Sequence, residues 1–202
     1  MKLRNRFDRP DLVVIDDFLT KRDFRELKTY MEGSCVWGPR LDLSKEQERD
    51  HKLNYGFSTP ILDHDYDDKW YDYDPEIDII KRYTNRIVHQ YNFTELFAVR
   101  MDMTTYRGEE QITLSPHVDR RGPHYTSILH MTTCDAPTII YNEMSDGHDD
   151  FDIPPDEDLT IKKVIEAKEN RLILFVGNYI HTGRCPTDVP IRTLINANYR
   201  YA

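Results

Sequence analysis

The chain has 202 residues, which one domain can account for, so we expect a single domain over residues 1–202. Hydrophobic residues make up 39% and charged residues 31% of it, which excludes a disordered, collagen-like or coiled-coil protein. The net charge of −9 disfavours binding that depends on neutralising phosphates, so we do not expect a nucleic-acid partner.

The sequence also indicates the cellular environment of the protein. No apolar run approaches the roughly 18 residues of a membrane span, so no membrane partner is expected. The basic residues near Met1 are not followed by an apolar stretch, which argues against a secretory signal. Cys35, Cys134 and Cys185 are odd in number and far apart, which indicates a reducing, cytoplasmic environment.

The first half of the chain predicts a strand and two helices. Residues 12–16 predict a strand, because the first four are apolar and three of those are β-branched. Thr20 then has the position of a helix cap, with Gly33 as the end of that helix. Asp74 and Pro75 predict the start of the second helix, as cap and first helical residue. Residues 34–60 show no sustained period and predict a loop with at most one strand. The apolar faces of the helices are Phe24, Leu27 and Met31, then Ile80, Tyr83, Ile87, Val88 and Tyr91.

The second half predicts short strands separated by turns. The turn signals are Arg107-Gly108, Asp135-Ala136-Pro137 and Gly177-Asn178. Two helices followed by many strands predict an α+β, mainly β chain whose C-terminal half is a sandwich or barrel. The predicted strands are residues 96–106, 124–133, 138–142, 160–167, 171–176 and 190–201.

Two acidic clusters, residues 63–74 and 146–152, are typical of solvated loops. The first is no calcium loop, because Asp68 stands where that loop needs glycine. We expect both clusters to act as lids over the mouth of the barrel, where acidic rims would favour a cationic or neutral partner.

Two His-x-Asp pairs occur, and about one is expected by chance from the composition. His117 and Asp119 lie between two β-rich runs, where an extended backbone points both side chains to one face. The pair that begins at His148 lies in an acidic run without apolar alternation, so the first pair is the better metal-binding candidate.

His181 supplies a third candidate ligand, because it follows the apolar run 171–176 and the turn at Gly177. Two histidines and one carboxylate suit iron(II) and leave coordination positions open. A structural zinc site usually recruits four ligands, often cysteines, and Cys134 and Cys185 have no CxxC partner.

Arg192 lies in the run 190–199, which is otherwise typical of a core strand. A buried arginine is costly unless a carboxylate meets it, and no acidic residue lies within this run. Two interpretations stay open: a ligand supplies the carboxylate, or the side chain pairs with a distant acid or faces outward.

Together these residues resemble the iron(II)- and 2-oxoglutarate-dependent dioxygenases, in particular the prolyl-4-hydroxylase-like branch. The resembling pattern is His117-x-Asp119, then His181, then Arg192. Three further segments are similar to the family: residues 13–20 to its opening strand and helix start, Tyr106 and Gly108 to its Tyr-x-x-Gly strand end with a shifted glycine, and residues 168–175 to the strand before the distal histidine.

The resemblance implies a double-stranded β-helix (jelly roll) braced by two N-terminal helices. It implies that His117, Asp119 and His181 bind Fe(II), and that Arg192 binds the distal carboxylate of 2-oxoglutarate. Molecular oxygen would be the second cosubstrate, with ascorbate as an optional reductant.

Other residues are weaker pocket candidates. Asn196 and Asn198 share the face of Arg192 by the period of two, so we expect them to line the cosubstrate pocket. His130 stands about where many relatives have a tyrosine, and it is either a pocket residue or a core histidine. Tyr106 is either a pocket donor or a core aromatic residue.

The implied activity is hydroxylation of a C–H bond with release of succinate and CO₂, since Asp119 is retained where related halogenases have a small residue. We expect a peptidyl, prolyl-type residue as substrate, with a small molecule as the alternative. A nucleic-acid demethylase of the AlkB type fits less well, because Asn198 stands where its second arginine is expected. A non-catalytic jelly-roll module that holds a metal for binding or structure is the alternative of another class.

Overall fold

A computed structural model describes residues 9–40, 55–64, 67–70, 75–146 and 153–201. These ranges contain two α-helices, and their eleven strands form two antiparallel sheets. In chain order the elements are β1 Leu12–Ile15, α1 Lys21–Gly33, β2 Gly38–Arg40, β3 Gly56–Asp63, β4 Asp67–Trp70, α2 Ile77–Tyr91, β5 Glu95–Thr105, β6 Tyr125–His130, β7 Cys134–Met144, β8 Ile161–Ala167, β9 Arg171–Val176, β10 Tyr179–Gly183 and β11 Ile191–Arg200.

The larger sheet has eight strands in the order β1-β9-β6-β11-β5-β3-β2, with β4 paired to β3. The smaller sheet is β10-β7-β8, and an isolated bridge joins His117 to His181 beside it. This arrangement confirms the predicted α+β, mainly β fold with two supporting helices. None of the helices in the described ranges is both long and apolar enough to cross a membrane.

Strand β11 shows how the sequence separates two layers. Thr193, Ile195, Ala197 and Tyr199 alternate with Arg192, Leu194, Asn196 and Asn198, and all eight are buried. Ile195, Ala197 and Tyr199 belong to the core that includes residues of both helices, whereas Leu194 belongs to the core shared with β7, β8 and β10. Because side chains alternate along a strand, the polar residues of β11 lie between the two sheets.

Helix α1 agrees with its prediction. The Thr20 hydroxyl accepts a hydrogen bond from the backbone N–H of Asp23 (3.1 Å), and Leu27 and Met31 are buried. The helix ends at Gly33 as predicted.

Helix α2 begins later than predicted, at Ile77 rather than at Pro75. Pro75 lies in a turn whose carbonyl accepts from the N–H of Asp78 (3.1 Å), so proline precedes the first helical residue. The predicted cap Asp74 lies outside the described residues. Ile80, Tyr83 and Ile87 are buried as the helical period indicated.

Three other predictions were wrong. Residues 34–63 contribute two strands, β2 and β3, because residues distant in sequence pair, as in Gly38 with Ser58. The first acidic cluster contains β4, so it is not all loop. The predicted turn at Asp135-Ala136-Pro137 lies within β7, where a register shift between Cys134 and Thr138 accommodates the proline, which has no N–H to donate.

Candidate metal centre and its cavity

The two histidines are brought together by backbone pairing between segments far apart in sequence. The N–H of His117 donates to the carbonyl of His181 and the N–H of His181 donates to the carbonyl of His117, both at 2.9 Å. His181 lies in β10, a strand that the sequence did not predict because it is five residues long and ends in glycine. The ring centroids are 4.8 Å apart.

Asp119 completes the group. Its Oδ1 lies 3.9 Å from Nε2 of His117, and its Oδ2 lies 3.5 Å from Nε2 of His181. One ligand atom from each residue lies within 4.8 Å of the other two, a separation that a single ion can bridge. The structure therefore brings together the three residues predicted as ligands.

Backbone carbonyls fix the tautomer of both rings. Nδ1 of His117 donates to the carbonyl of Ser115, and Nδ1 of His181 donates to the carbonyl of Tyr179, each at 3.0 Å. A carbonyl only accepts, so each Nδ1 carries a proton and Nε2 is the nitrogen that each ring can offer to a metal. Burial, assisted by the charge of the His181 ring, lowers the pKa of His117 to about 4, which keeps this ring neutral at pH 7.

Asp119 is held by four side-chain donors. Its Oδ1 accepts from Arg100 (2.7 Å), and its Oδ2 accepts from Thr126 (3.1 Å), Asn196 (3.0 Å) and Asn198 (3.2 Å). The side chain has no solvent-exposed surface. These contacts orient the carboxylate before any ion is bound.

Charge keeps Asp119 ionised. Burial acts to raise the pKa of Asp119, but Arg100 and the two histidines outweigh it and hold that pKa well below its usual value. Arg100 is itself clamped, since its Nε donates to Asp102 at 2.7 Å. The ligand set thus offers an ionised carboxylate at Asp119 and a neutral imidazole at His117, the protonation states in which these groups bind a metal.

A cavity of about 80 Å³ runs from the two histidines to Arg192. Its walls include Ile128, Leu194 and Asn196, all on the inner face between the sheets. Arg192 is 3% exposed, and the structure gives it one hydrogen bond, from Nη2 to the Thr138 hydroxyl (3.1 Å).

No acidic side chain in the described ranges pairs with Arg192, and its Nε has no hydrogen-bond partner there. Burial lowers the pKa of Arg192 from its usual value, which reflects the cost of holding a charge in this environment. Gly183 lies beside the guanidinium, where an added Cβ would stand 3.2 Å from Nη1. The sequence left open whether Arg192 meets a ligand, pairs with a distant acid or faces outward. The side chain is buried, and it forms no salt bridge within the described chain.

His130 lies behind this arginine rather than in the cavity. It is fully buried, and its Nε2 lies 3.4 Å from the hydroxyl of Thr138, the same hydroxyl that accepts from Arg192. Since Thr138 accepts from the guanidinium, its own proton is free to point at His130. His130 is thus a core histidine that supports Thr138.

The remaining candidate pocket residues have different outcomes. Asn196 lines the cavity as predicted, whereas Asn198 does not and instead donates to Asp119 and Thr126. Tyr106 was wrong as either a pocket or a core residue: β5 ends at Thr105, and the Tyr106 side chain turns outward and donates to Glu109 (3.1 Å). His148 lies outside the described residues.

Arg100 and Thr138 were not predicted. Both lie in strands that were predicted, but their contacts depend on which strands pair. Arg100 faces Asn196 across the β5–β11 ladder, which carries it to Asp119. The sequence signal was a charged pair, Arg100 and Asp102, two residues apart in an otherwise apolar strand.

Comparison with known proteins identifies structures of similar fold but no protein of similar sequence. No protein-family model matches the sequence, and no curated protein is similar to it in sequence. Solved structures do match over nearly the whole chain.

Three of these solved structures are two prolyl hydroxylases and an epimerase. A prolyl hydroxylase from Trichoplax adhaerens, in complex with a hypoxia inducible factor oxygen degradation domain peptide fragment, has a TM-score of 0.62 at 12% identity, covering 94% of this chain and 83% of that chain. A prolyl-4-hydroxylase from Pseudomonas putida has a TM-score of 0.60 at 11% identity, covering 95% and 93%. The epimerase SnoN, in complex with Fe³⁺, alpha ketoglutarate and nogalamycin RO, has a TM-score of 0.60 at 12% identity, covering 98% and 81%. The likeness confirms the jelly-roll fold expected from the sequence.

Proposed function

We propose that this chain is an Fe(II)- and 2-oxoglutarate-dependent dioxygenase that hydroxylates a C–H bond. The observation that carries the proposal is one continuous cavity with two different ends. Two histidines whose Nε2 atoms face a carboxylate lie at one end, and a buried guanidinium without a carboxylate partner in the described chain lies at the other.

The residues fit an iron(II) ion. His117 and His181 would bind it through Nε2 and Asp119 through a carboxylate oxygen, which leaves coordination positions toward the cavity. Bound iron would supply the oxidation chemistry that protein side chains lack. The chain's own residues orient the ligands: Ser115 and Tyr179 set the two rings, and Arg100 with the donors on Oδ2 sets the carboxylate.

Arg192 fits one end of a dicarboxylate. Its planar fork favours two-point contact with a carboxylate, and the described chain provides none. Thr138 would hold the fork in place while 2-oxoglutarate lies along the cavity toward the histidines. Apolar walls at Ile128 and Leu194 keep water away from this contact, which strengthens it.

The reaction would couple conversion of 2-oxoglutarate and O₂ to succinate and CO₂ with insertion of one oxygen atom into a substrate C–H bond. A peptidyl, prolyl-type residue is the substrate expected from the sequence, and two of the similar structures are of prolyl hydroxylases. A small molecule is the second candidate, since SnoN, of similar fold, was solved with nogalamycin RO. A cytoplasmic setting with ascorbate as optional reductant belongs to the same proposal.

Succinate release tests the proposal against a non-catalytic binding module. The purified chain is incubated with 2-oxoglutarate and O₂, with and without Fe(II), and succinate is measured. We expect iron-dependent succinate even without a prime substrate, because turnover of this kind is often uncoupled. The variant Arg192→Met should abolish the signal at modest 2-oxoglutarate concentration. Release that is independent of iron, or equal in Arg192→Met, would contradict the proposal.

A further inference from the structure

A second and larger groove adjoins the metal centre. Its volume is about 850 Å³, within the range of small-molecule sites, and Arg100 and Asp119 form part of its wall. Arg40 lines both this groove and the smaller cavity, so it marks where the two meet. A substrate that reaches the metal centre through this groove therefore passes Arg40.

The groove is rich in arginine although the chain as a whole is acidic. Among the described residues, five arginines and two aspartates line it: Arg40, Arg100, Arg120, Arg121 and Arg200, with Asp63 and Asp119. Most of the two acidic clusters, which we expected to form lids over the barrel mouth, lies outside the described residues. Asp63, the described residue of the first acidic cluster that lines the groove, is already paired with Arg120 at 2.8 Å.

Three of the five arginines are matched by carboxylates. Arg100 pairs with Asp102 and Asp119, Arg120 pairs with Asp63, and Arg200 pairs with Glu95 at 3.0 Å. These pairs build the wall and leave little charge for a ligand.

Arg40 and Arg121 differ from these three. Neither forms an ion pair or a side-chain hydrogen bond with any residue of the described chain. Arg121 is exposed, whereas Arg40 is half-buried near Arg100. Burial and the charge of Arg100 lower the pKa of Arg40, and the charges of Asp102 and Asp119 offset this only in part. A half-buried cation is stabilised when an anion binds next to it.

We infer that the groove binds its substrate through one or two carboxylate or phosphate groups placed at Arg40 and Arg121. The inference rests on the proposed function, because it names the substrate class of that site. Two cations without an ion pair in the described chain match one or two anionic groups rather than a nucleic-acid backbone, and the net charge of −9 repels a long polyanion. The anionic group belongs either to an acidic peptide or to a small acid.

Calorimetric titration of the metal-free chain tests this separately from catalysis. Four probes are compared: the peptide Ac-Ala-Glu-Pro-Glu-Ala-NH₂, its counterpart with lysine in place of glutamate, inorganic pyrophosphate and a thymidine hexanucleotide. The same titrations are made with Arg40→Gln/Arg121→Gln. The control is Arg22→Gln/Arg25→Gln, which removes the same charge from exposed positions on α1.

We expect the glutamate peptide or pyrophosphate to bind about tenfold more tightly than the lysine peptide, and the groove variant to lose about tenfold in affinity. The control should change affinity less than about twofold, because exposed charges at a distance are screened. Whichever acidic probe binds better identifies the source of the anion.

Four outcomes would overturn the inference: no binding of either acidic probe, equal binding of the lysine peptide, equal loss in both double variants, or tightest binding of the oligonucleotide. Succinate release does not enter this experiment. A chain that binds the acidic probes but releases no succinate would contradict the proposed function alone.

Discussion

The two ends of the inner cavity are built on opposite principles. At the metal end, the charge of Asp119 is met by four donors, and both imidazoles are oriented by backbone carbonyls. At the other end, Arg192 is as deeply buried, but its one hydrogen bond in the described chain goes to a neutral hydroxyl. One end is complete as a folded structure, and the other lacks an anion.

This difference separates what the fold supplies from what a ligand must supply. Asp119 contributes to stability in the folded chain, because removing one member of a buried ion pair leaves its partner uncompensated. Arg192, a buried charge without a carboxylate partner in the described chain, lowers the stability of the fold until a carboxylate binds to it. Substitutions at the two ends should therefore change stability in opposite directions while both abolish activity.

The largest expected effect is on turnover at the metal end. Replacing His117 by alanine removes one of three ligands, and we expect iron-dependent succinate release to fall on the order of 100-fold or more. The control His89→Ala changes an exposed histidine in the last turn of α2 and should leave the rate unchanged. Retained turnover in His117→Ala would remove this residue from the ligand set.

The next effect is on stability at the same end. Asp119→Asn removes the charge that Arg100 faces and places an amide among four donors, so we expect the free energy of unfolding to fall by about 3 kcal/mol. Urea unfolding of the metal-free chain measures it. Asp78→Asn, at an exposed carboxylate on α2, should cost less than about 0.5 kcal/mol. Equal losses in the two variants would show that Asp119 is no more stabilising than a surface charge.

At the Arg192 end of the cavity, the change in the free energy of unfolding should have the opposite sign. Arg192→Met replaces an uncompensated buried cation by an apolar side chain, so we expect the metal-free chain to be as stable as the wild type or more stable, by about 1 kcal/mol. Added 2-oxoglutarate should raise the melting temperature of the wild type but not of this variant. A loss of stability comparable to that of Asp119→Asn would mean that Arg192 has a structural partner after all.

The fourth expected effect is on the pH dependence of stability. Burial lowers the pKa of His124 and takes that of His130 well below its usual value, so the folded chain binds fewer protons than the unfolded chain below pH of about 6.5. Stability is therefore lost as pH falls below that value, by up to about 1.4 kcal/mol per pH unit for each such histidine. His130→Gln should make this slope shallower in unfolding experiments between about pH 6.5 and 5. An unchanged slope would show that His130 takes up its proton in the folded chain.

The sequence predicted the parts of the fold that local patterns encode. Thr20 and Gly33 bound α1 as expected, and seven strands, the opening strand and six in the second half, were placed from local sequence patterns. The strands β2, β3 and β4 depend on pairing between distant residues, so no local period marks them. Tyr106 was misplaced because a one-residue difference in where β5 ends decides whether a side chain faces the cavity or the solvent.

The candidate site was predictable as far as residue type and spacing determine it. His117, Asp119, His181 and Arg192 come together as the resemblance implied. The supporting residues were not predictable, because Arg100 reaches Asp119 only through the pairing of β5 with β11, and Thr138 reaches Arg192 only across the two sheets. Support of this kind is a property of the tertiary structure.

An anaerobic titration with Fe(II) and 2-oxoglutarate tests the account most directly, because it needs both ends of the cavity and no substrate. We predict a visible charge-transfer band that appears only when both are present, and that in Arg192→Met requires at least about tenfold more 2-oxoglutarate. No band in the wild type, or the same 2-oxoglutarate dependence in both proteins, would contradict the account.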